Sequence, residues 1–304
     1  MKQMTVISGK GGTGKTSLTA SFAALAHNAI VADCDVDAPD LALVLAPRVE
    51  KQSPFVGGKV ARVDAGRCTG CGLCVESCRF EATALHGPPG DAAEHTCAVD
   101  PHSCEGCGVC VQLCPVEACR LEPTVTGEWF ISQTRFSPLV HAQLGVGQDN
   151  SGKLVSCVRQ EARALAEREE RDLVLCDGPP GIGCPVIASL SGVDLLLIVV
   201  EPTVSALHDF ERVADLARHF QIPALVCINK HDLNETVAAE IEKRADRLGV
   251  ERAGRIPYDE AVVGAQLHRR TVVEHTNGPL SAAIRNIWQR IEQRLDLASE
   301  HRAP

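Results

Sequence analysis

The sequence predicts a doubly wound parallel α/β sheet into which a second, small α+β domain is inserted. Short apolar runs of strand length alternate with helical stretches near both ends of the chain, as in parallel sheets with crossover helices. The middle segment breaks this alternation, because it is rich in cysteine, glycine and proline. We therefore predict a larger domain from residues 1–58 and 124–304, and an inserted domain from residues 59–123.

The elements of the larger domain are predicted from runs of apolar residues and their spacing. The predicted strands are Met4–Ser8, Ala29–Asp33, Asp172–Cys176, Asp194–Val200 and Ala224–Ile228. The predicted helices are Lys15–His27, Ser205–His219, Glu235–Leu248 and Leu280–Leu297. The last helix has one apolar face, which we expect to pack on the domain. Its arginines leave a membrane-surface helix as the alternative.

Composition excludes several classes of partner. The net charge of −9 and a pI of about 5.7 argue against broad nucleic-acid binding, so no nucleic-acid partner is expected. The longest apolar run, Leu195–Val200, is far shorter than the ~20 residues of a membrane span, so no membrane association is expected. Fifteen cysteines without a secretion signal indicate a reducing, cytoplasmic location, where thiols bind metals or act in catalysis.

A glycine-rich loop between the first strand and the first helix matches the pattern G-x4-G-K-[ST]. Its glycines allow backbone N–H groups to surround phosphate oxygens at the positive end of a helix. Lys15 would contact the β and γ phosphates, and the Thr16 hydroxyl would bind Mg²⁺. The predicted nucleotide-binding residues of this loop are Gly9, Gly11, Gly12, Thr13, Gly14, Lys15, Thr16 and Ser17.

The loop also contains an early lysine, Lys10, in the sequence K-G-G-T-G-K-T over residues 10–16. This sequence resembles the deviant Walker A loop of the superfamily that includes MinD, ParA, Mrp and the nitrogenase iron protein. The resemblance implies a P-loop NTPase that hydrolyses ATP slowly under the control of partners. It also implies that Lys10 contacts the nucleotide of a second subunit, in a homodimer or a heterodimer with a paralogue.

Acidic residues follow two of the predicted strands. By the same resemblance, Asp35 positions the attacking water and completes a catalytic set with Lys10 and Lys15. Asp33 would lie near Mg²⁺, and Asp177, which ends the strand of a Walker B segment, would hold a Mg²⁺-bound water. The alternative is that these carboxylates only cap helices.

Two further segments resemble the adenine-binding elements of the superfamily. Asn229 follows the strand Ala224–Ile228 and is the candidate for recognition of the base. Pro257 and Asp259 lie in a sequence that resembles the loop closing over the base.

The inserted domain contains two C-x2-C-x2-C-x3-C runs, the second followed by Pro115, which is the pattern of bacterial ferredoxins with two [4Fe–4S] clusters. The fourth cysteine of each run ligates the other cluster. The first set is therefore Cys68, Cys71, Cys74 and Cys114. The second set is Cys104, Cys107, Cys110 and Cys78. Zinc is the alternative metal, because cysteine quartets also bind zinc.

Seven cysteines lie outside these sets. Those in or beside apolar runs are expected to be small buried residues, and they are Cys34, Cys157, Cys176 and Cys227. Cys97 and Cys119 are expected to pack within the inserted domain. Cys184 follows the Walker B segment, where it could face a dimer partner as a ligand or redox group.

Taken together, these motifs resemble MinD-superfamily ATPases that contain an inserted ferredoxin domain. The resemblance implies ATP, Mg²⁺ and two [4Fe–4S] clusters as cofactors. It implies that dimer rearrangement driven by the nucleotide controls electron transfer, with redox or cofactor-assembly proteins as partners. The alternatives are an Mrp-like carrier or maturation factor for metal clusters, and a positioning ATPase like MinD or ParA. The first alternative is weakened because no C-x-x-C occurs outside the insert.

Overall fold

The computed structural model of this chain describes residues 1–87, 95–145 and 151–297. These residues form two compact units. Unit 1 comprises residues 1–53, 129–144 and the described residues from 151 onwards, and unit 2 comprises the described residues of 54–128 together with 145. The chain passes between the two units within its third and sixth strands. The sequence-based limits of the insert, residues 59 and 123, both lie inside unit 2.

The described residues contain eleven strands and eleven α-helices. The strands are β1 (Lys2–Ser8), β2 (Ala29–Asp33), β3 (Arg48–Val63), β4 (Thr83–His86), β5 (Thr96–Val99), β6 (Cys119–Gln133), β7 (Pro138–Leu144), β8 (Leu173–Pro180), β9 (Leu195–Val200), β10 (Ala224–Asn229) and β11 (Glu251–Ile256). The helices are α1 (Lys15–Leu25), α2 (Leu41–Leu45), α3 (Leu73–Glu76), α4 (Val109–Leu113), α5 (Ser151–Arg168), α6 (Cys184–Leu190), α7 (Val204–His219), α8 (Glu235–Leu248), α9 (Ala261–Leu267), α10 (Val272–His275) and α11 (Pro279–Leu295).

The main sheet has the strand order β11-β10-β9-β1-β8-β2-β7-β6-β3. Strands β1, β2 and β8 to β11 pair in parallel, and β2 is also parallel to β7. The register between β2 and β8 places Asp33 beside Asp177. Because the carboxyl ends of parallel strands meet at one edge, the acidic residues predicted on separate segments come together there.

Helices cover both faces of the parallel part of the sheet, as expected for a doubly wound fold. Successive residues of β9 alternate between two cores: Leu195 and Leu197 pack with α1, α10 and α11, whereas Leu196 and Ile198 pack with α6, α7 and α8. The structure therefore confirms the predicted α/β class.

The C-terminal helix α11 packs on unit 1, as the sequence predicts. Its apolar residues, among them Ile284, Ile287 and Ile291, are each at most 1% exposed and belong to the core with α1. The apolar face that a membrane-surface helix would need is therefore covered by protein. Across residues 1–87, 95–145 and 151–297, no helix is both long and apolar enough to cross a bilayer.

Unit 2 is built around the two cysteine runs. Its strands β4 and β5 form an antiparallel pair, and each run leads into a short helix, α3 or α4. Gly72 and Gly108 precede these helices with φ angles of 76° and 79°. At these two positions the backbone adopts the left-handed conformation that glycine accepts without strain.

Candidate functional site

The glycine-rich loop connects β1 to α1 in unit 1. Gly14 has a φ angle of 85°, and a Cβ atom there would lie 2.4 Å from Nδ2 of Asn229. Glycine is therefore required at this position by both backbone conformation and space. The Thr13 hydroxyl is buried, and within the described residues it has no hydrogen-bond partner. A phosphate oxygen in the loop would supply the partner that this group lacks.

Lys15 brings together the acids at the edge of the sheet. Its Nζ atom lies 3.2 Å from Asp177 Oδ1 and 3.7 Å from Asp35 Oδ2. Burial alone would lower the pKa of Lys15, but the charges of Asp177, Asp35 and Asp33 outweigh it and raise the pKa. The lysine therefore stays cationic in a nearly closed site.

The two acids at the end of β2 and just after it differ in their surroundings. Asp33 is fully buried, and its two oxygens accept hydrogen bonds from the backbone N–H groups of Asp35 and Leu41. Burial, assisted by the charge of Asp177, raises the pKa of Asp33 well above its ordinary value. Burial also raises the pKa of Asp35, against the opposing effect of Lys15. Asp35 is thus the more accessible acid and the more suitable one to accept a proton or orient a water molecule.

The residues predicted to hold Mg²⁺ have the donor atoms that this ion prefers. Asp177 Oδ1 accepts hydrogen bonds from Lys15 and from Thr19, at 3.2 and 2.9 Å. The other oxygen, Oδ2, is buried and has no hydrogen-bond partner in the described part of the chain. A carboxylate oxygen left in this state fits a Mg²⁺-bound water, and Thr16 at the start of α1 adds a hydroxyl.

The residues predicted to bind adenine converge on one cavity of about 230 Å³. Asn229, Pro257 and Asp259 all line it, together with Gly12 and Gly14 of the loop. Asn229 Nδ2 donates a hydrogen bond of 2.7 Å to the carbonyl oxygen of Thr13. Apolar side chains of α9, α10 and α11 form much of the remaining wall. The cavity is therefore suited to a flat, largely apolar base beside the phosphate loop.

Lys10 contacts its own chain in this structure. Its Nζ atom hydrogen-bonds to the Ser205 hydroxyl and lies 3.9 Å from Asp209 Oδ2, both residues of α7. The lysine side chain is 46% exposed. Its contact with a second subunit thus remains a prediction.

The second cysteine set lines one small pocket in unit 2. All four members, Cys104, Cys107, Cys110 and Cys78, are on its walls although they come from two separate runs. Cys68 and Cys114 of the first set, and also Cys110 of the second, pack against the buried cluster of Cys74, Cys97 and Cys119. The structure thus places Cys78 with the second run, whereas ligation of the first cluster by Cys114 stays a prediction.

Backbone amides face the cysteine sulfurs in both sets. Cys78 Sγ accepts a hydrogen bond from Ala82 N at 3.3 Å, and Cys114 Sγ from Ala118 N at 3.2 Å. Burial would raise the pKa of both thiols, but these amide contacts outweigh it and lower the pKa. Such an environment favours the thiolate, which is the form that ligates iron. Over residues 1–87, 95–145 and 151–297, no three Cys, His, Asp or Glu side chains converge as ligands of one metal ion.

The seven other cysteines occupy different surroundings. Cys34, Cys176 and Cys227 are buried in unit 1, Cys157 is half-buried on α5, and Cys97 and Cys119 are buried in unit 2. Cys184 is exposed at the start of α6. Its contact with a partner stays a prediction.

Comparison with known proteins supports a cluster-binding domain in this chain. Residues 33–118 match the family described as 4Fe-4S dicluster domain. The sequence is 35% identical to "Uncharacterized protein MJ0578" of Methanocaldococcus jannaschii over 235 residues, which cover 76% of this chain and 79% of that protein. This chain belongs to the MJ0578 family. The cluster-domain match favours iron–sulfur clusters over zinc as the occupants of the cysteine sets.

Members of other families show the fold of this MJ0578-family protein. It is 28% identical to the septum site-determining protein MinD of Bacillus subtilis over 53% of this chain and 62% of that protein. The solved structure of MinD complexed with Mg-ADP from Pyrococcus horikoshii covers 96% of both chains at 15% identity, with a TM-score of 0.57. The predicted MinD/ParA-like P-loop fold with a ferredoxin-type domain is thereby confirmed.

Some residues of the site are absent from the sequence-based prediction. Thr19, one helical turn after Lys15, donates to Asp177, and its spacing of four residues from Lys15 is a signal that could have identified it. Gln266 of α9 donates to Ser17 at 3.0 Å and lines the cavity. Ser205 and Asp209, the partners of Lys10, lie almost 200 residues away in the sequence and carry no local signal.

Proposed function

We propose that this protein hydrolyses ATP as a dimer and that its nucleotide cycle controls electron transfer through two [4Fe–4S] clusters. The observation that carries the proposal is the presence, in one chain, of a phosphate loop with converging Lys15, Asp35 and Asp177 and of two cysteine quartets. The presence of a nucleotide site suggests that electron delivery is gated. The partners would be redox or cofactor-assembly proteins in a reducing cytoplasm, where cluster thiolates persist.

The nucleotide part of the proposal rests on the separate roles of the charged residues in the site. Lys15 would leave its contact with Asp177 to place its charge on the β and γ phosphates. Asp177 Oδ2, which has no hydrogen-bond partner among the described residues, would accept from a water of Mg²⁺, and Asp35 would orient the attacking water. When bound, Mg²⁺ would neutralise charge on the phosphate oxygens. Once it contacts the phosphates, the lysine would stabilise the charge that develops in the transition state, because a site that excludes water strengthens this attraction.

The part of the proposal that concerns dimerisation rests on Lys10. The side chain of this lysine is half-exposed, and its ammonium group contacts Ser205 and Asp209 of α7. A second subunit's nucleotide, with several negative charges, would be a stronger partner for an ammonium group than the single carboxylate of Asp209, which is 23% exposed. We infer that Lys10 changes partner on dimerisation and thereby links hydrolysis to assembly.

The redox part of the proposal rests on the cysteine sets. When bound, the clusters would supply one-electron redox centres. The four cysteines of the second set line a single pocket, and three of the first set, Cys68, Cys74 and Cys114, belong to one packed cluster, which supports ligands for both iron–sulfur clusters. Their backbone amide contacts would stabilise added negative charge on the sulfurs and thus favour the reduced state.

An anaerobic redox titration followed by EPR tests the coupling. The wild-type protein and its Lys10→Ala variant would be titrated with and without a non-hydrolysable Mg-ATP analogue. We expect the analogue to shift at least one midpoint potential or EPR signal in the wild type, and to have no such effect in Lys10→Ala, whose cluster content stays normal. If the analogue changes neither the midpoint potentials nor the EPR signals of the wild type, the proposed gating is contradicted.

A further inference from the structure

Two cysteines of unit 2 lie outside both predicted cluster sets, yet they are among its most buried side chains. Cys97 on β5 is 5% exposed, and Cys119 at the start of β6 is 6% exposed. Together with Cys74 of the first set they form one buried cluster. Both residues therefore lie beside the first set and not on the surface of unit 2.

Both residues pack with cysteines of the first set. Cys97 and Cys119 form a buried cluster with Cys74, and Cys68 and Cys114 pack against this cluster. The backbone N–H of Cys97 also donates to Cys68 Sγ at 3.5 Å. Three of the four predicted ligands of the first cluster thus have an additional thiol beside them.

The internal repeat of unit 2 provides the matching positions at the second set. Ala61 N donates to Cys104 Sγ at 3.4 Å, just as Cys97 N donates to Cys68 Sγ. Ala61 and Cys97 each lie seven residues before the first cysteine of a run, so they are equivalent.

A second pair of equivalent positions lies just after the fourth cysteine of each run. Ala82 N donates to Cys78 Sγ in the way that Ala118 N donates to Cys114 Sγ. The next residues, Thr83 and Cys119, are therefore equivalent, and Ala61 and Thr83 both line the pocket of the second set. The two positions beside a cluster thus hold alanine and threonine at the second set and two cysteines at the first.

We propose that Cys97 and Cys119 are reserve iron ligands of the first cluster site. Cys97 can replace Cys68 or Cys74, and Cys119 can replace Cys114. Packing alone would be satisfied by alanine and threonine, as it is at the second set. In the exchange, the incoming thiol loses its proton as its sulfur binds iron, and the departing sulfur takes up a proton as its bond to iron breaks. No electron is transferred.

This inference rests on the two-cluster assignment of the proposed function, which the wild-type protein tests first. Anaerobically purified and reconstituted full-length protein should contain about eight iron and eight sulfide ions per chain. A wild-type content of about four would overturn the assignment itself, independently of the two cysteines.

The decisive comparison uses the equivalent ligand variants Cys68→Ala and Cys104→Ala. We expect Cys68→Ala to keep about eight irons, because Cys97 replaces the lost ligand, whereas Cys104→Ala keeps fewer. Of these two variants, only Cys68→Ala should show two interacting clusters, as the wild type does, in low-temperature EPR of the reduced protein. The same loss of iron in both variants would overturn the proposal. The Cys104→Ala variant also controls for general effects of ligand removal on folding.

Two further variants separate a reserve ligand from a packing residue or a primary ligand. Cys68→Ala combined with Cys97→Ala should lose iron to the level of Cys104→Ala, and retention of about eight irons would contradict a role for Cys97. Cys97→Ala combined with Cys119→Thr reproduces the surroundings of the second set while all eight ligands remain. This variant should keep both clusters, and loss of one would mean that the two cysteines are primary ligands.

Discussion

Lys15 Nζ lies 3.2 Å from Asp177 Oδ1, in a pair whose side chains are only 6% and 1% exposed. Asp35 and Asp33 add two further carboxylates around the same ammonium group. One cation therefore balances several acids inside unit 1. Removing one partner of a buried pair leaves an uncompensated charge, which costs more than removing both.

This arrangement predicts a non-additive effect on stability. Lys15→Gln should lower the free energy of unfolding by about 3–5 kcal/mol, because it leaves the carboxylates without a cation. Asp177→Asn in the same chain should restore part of that loss, while both variants lack ATPase activity. Urea unfolding followed by tryptophan fluorescence reports on unit 1, since Trp129 and Trp288 both lie there. Equal losses for the single and the double variant would contradict the charge argument. Arg218→Ala, which removes an exposed ion pair, is the control.

Asp35 and Asp37 allow a matched test of the catalytic acid. Asp35 is near Lys15, whereas Asp37 two residues later is exposed. Asp35→Asn should reduce the rate of ATP hydrolysis about 10²–10⁴-fold while ATP binding is retained, because the amide cannot accept a proton. Asp37→Asn should leave both unchanged. Phosphate release and equilibrium nucleotide binding measure the two effects, and a normal rate for Asp35→Asn would remove Asp35 from the mechanism.

Asn229 is expected to shape the nucleotide cavity through the backbone of the loop. Asn229→Asp keeps the oxygen that accepts from Lys230 N but places a carboxylate oxygen against the Thr13 carbonyl. The Kd for ATP should rise about tenfold or more, as expected for one lost and one repulsive contact. Asn234→Asp is the control, since Asn234 only caps α8 and aspartate caps equally well. Equal affinities for both variants would argue against this role.

His141 predicts a pH dependence of stability. Its Nε2 atom lies 2.9 Å from Ser132 Oγ, and its ring stacks on Phe130 at 4.9 Å. Burial lowers the pKa of His141 to about 4, below the ordinary value of about 6.5. The unfolded state therefore binds a proton more readily than the folded state. The contribution of His141 to the free energy of unfolding is fully present above its unfolded pKa, and it is lost as the pH falls towards its folded pKa.

The expected loss attributable to His141 is about 2 kcal/mol between about pH 7 and about pH 5. His141→Gln should remove this slope, and His208→Gln, at an exposed position on α7, should retain it. Urea unfolding at several pH values measures the slope. An unchanged slope in His141→Gln would show that another group causes it.

The parallel part of the fold was predictable because its strands are buried on both faces. The predicted strand Ala29–Asp33 and helix Glu235–Leu248 agree with the structure residue for residue, and the other predicted elements of unit 1 differ by a few residues at their ends. Strand β3 was not predicted, since its first five residues are charged or polar apart from Val49 and are exposed, so they form no apolar run. Helix α5 was also omitted, although its apolar residues recur at helical spacing.

The site residues also divide into those that the sequence predicts and those that only the fold brings together. Residue spacing alone predicted the phosphate loop and both cysteine sets, because each motif is local in sequence. The partners of Lys10 required the fold, which brings α7 next to the loop. Sequence spacing relates the extra thiols of the first set to their counterparts at the second, but their position beside the cluster sulfurs is known only from the structure.

The contact of Lys10 with α7 predicts that its partners there compete with dimerisation. Asp209→Asn weakens the attraction to the ammonium group without changing side-chain size, and it should strengthen dimerisation in the presence of a non-hydrolysable ATP analogue. The expected decrease in the dimer Kd is about two- to fivefold, the scale of one exposed ion pair. Asp215→Asn, on the same helix but paired with Arg218, should not change the Kd. Sedimentation velocity measures this constant. A weaker dimer in Asp209→Asn would mean that Asp209 supports the interface, so that Lys10 would not have to leave it.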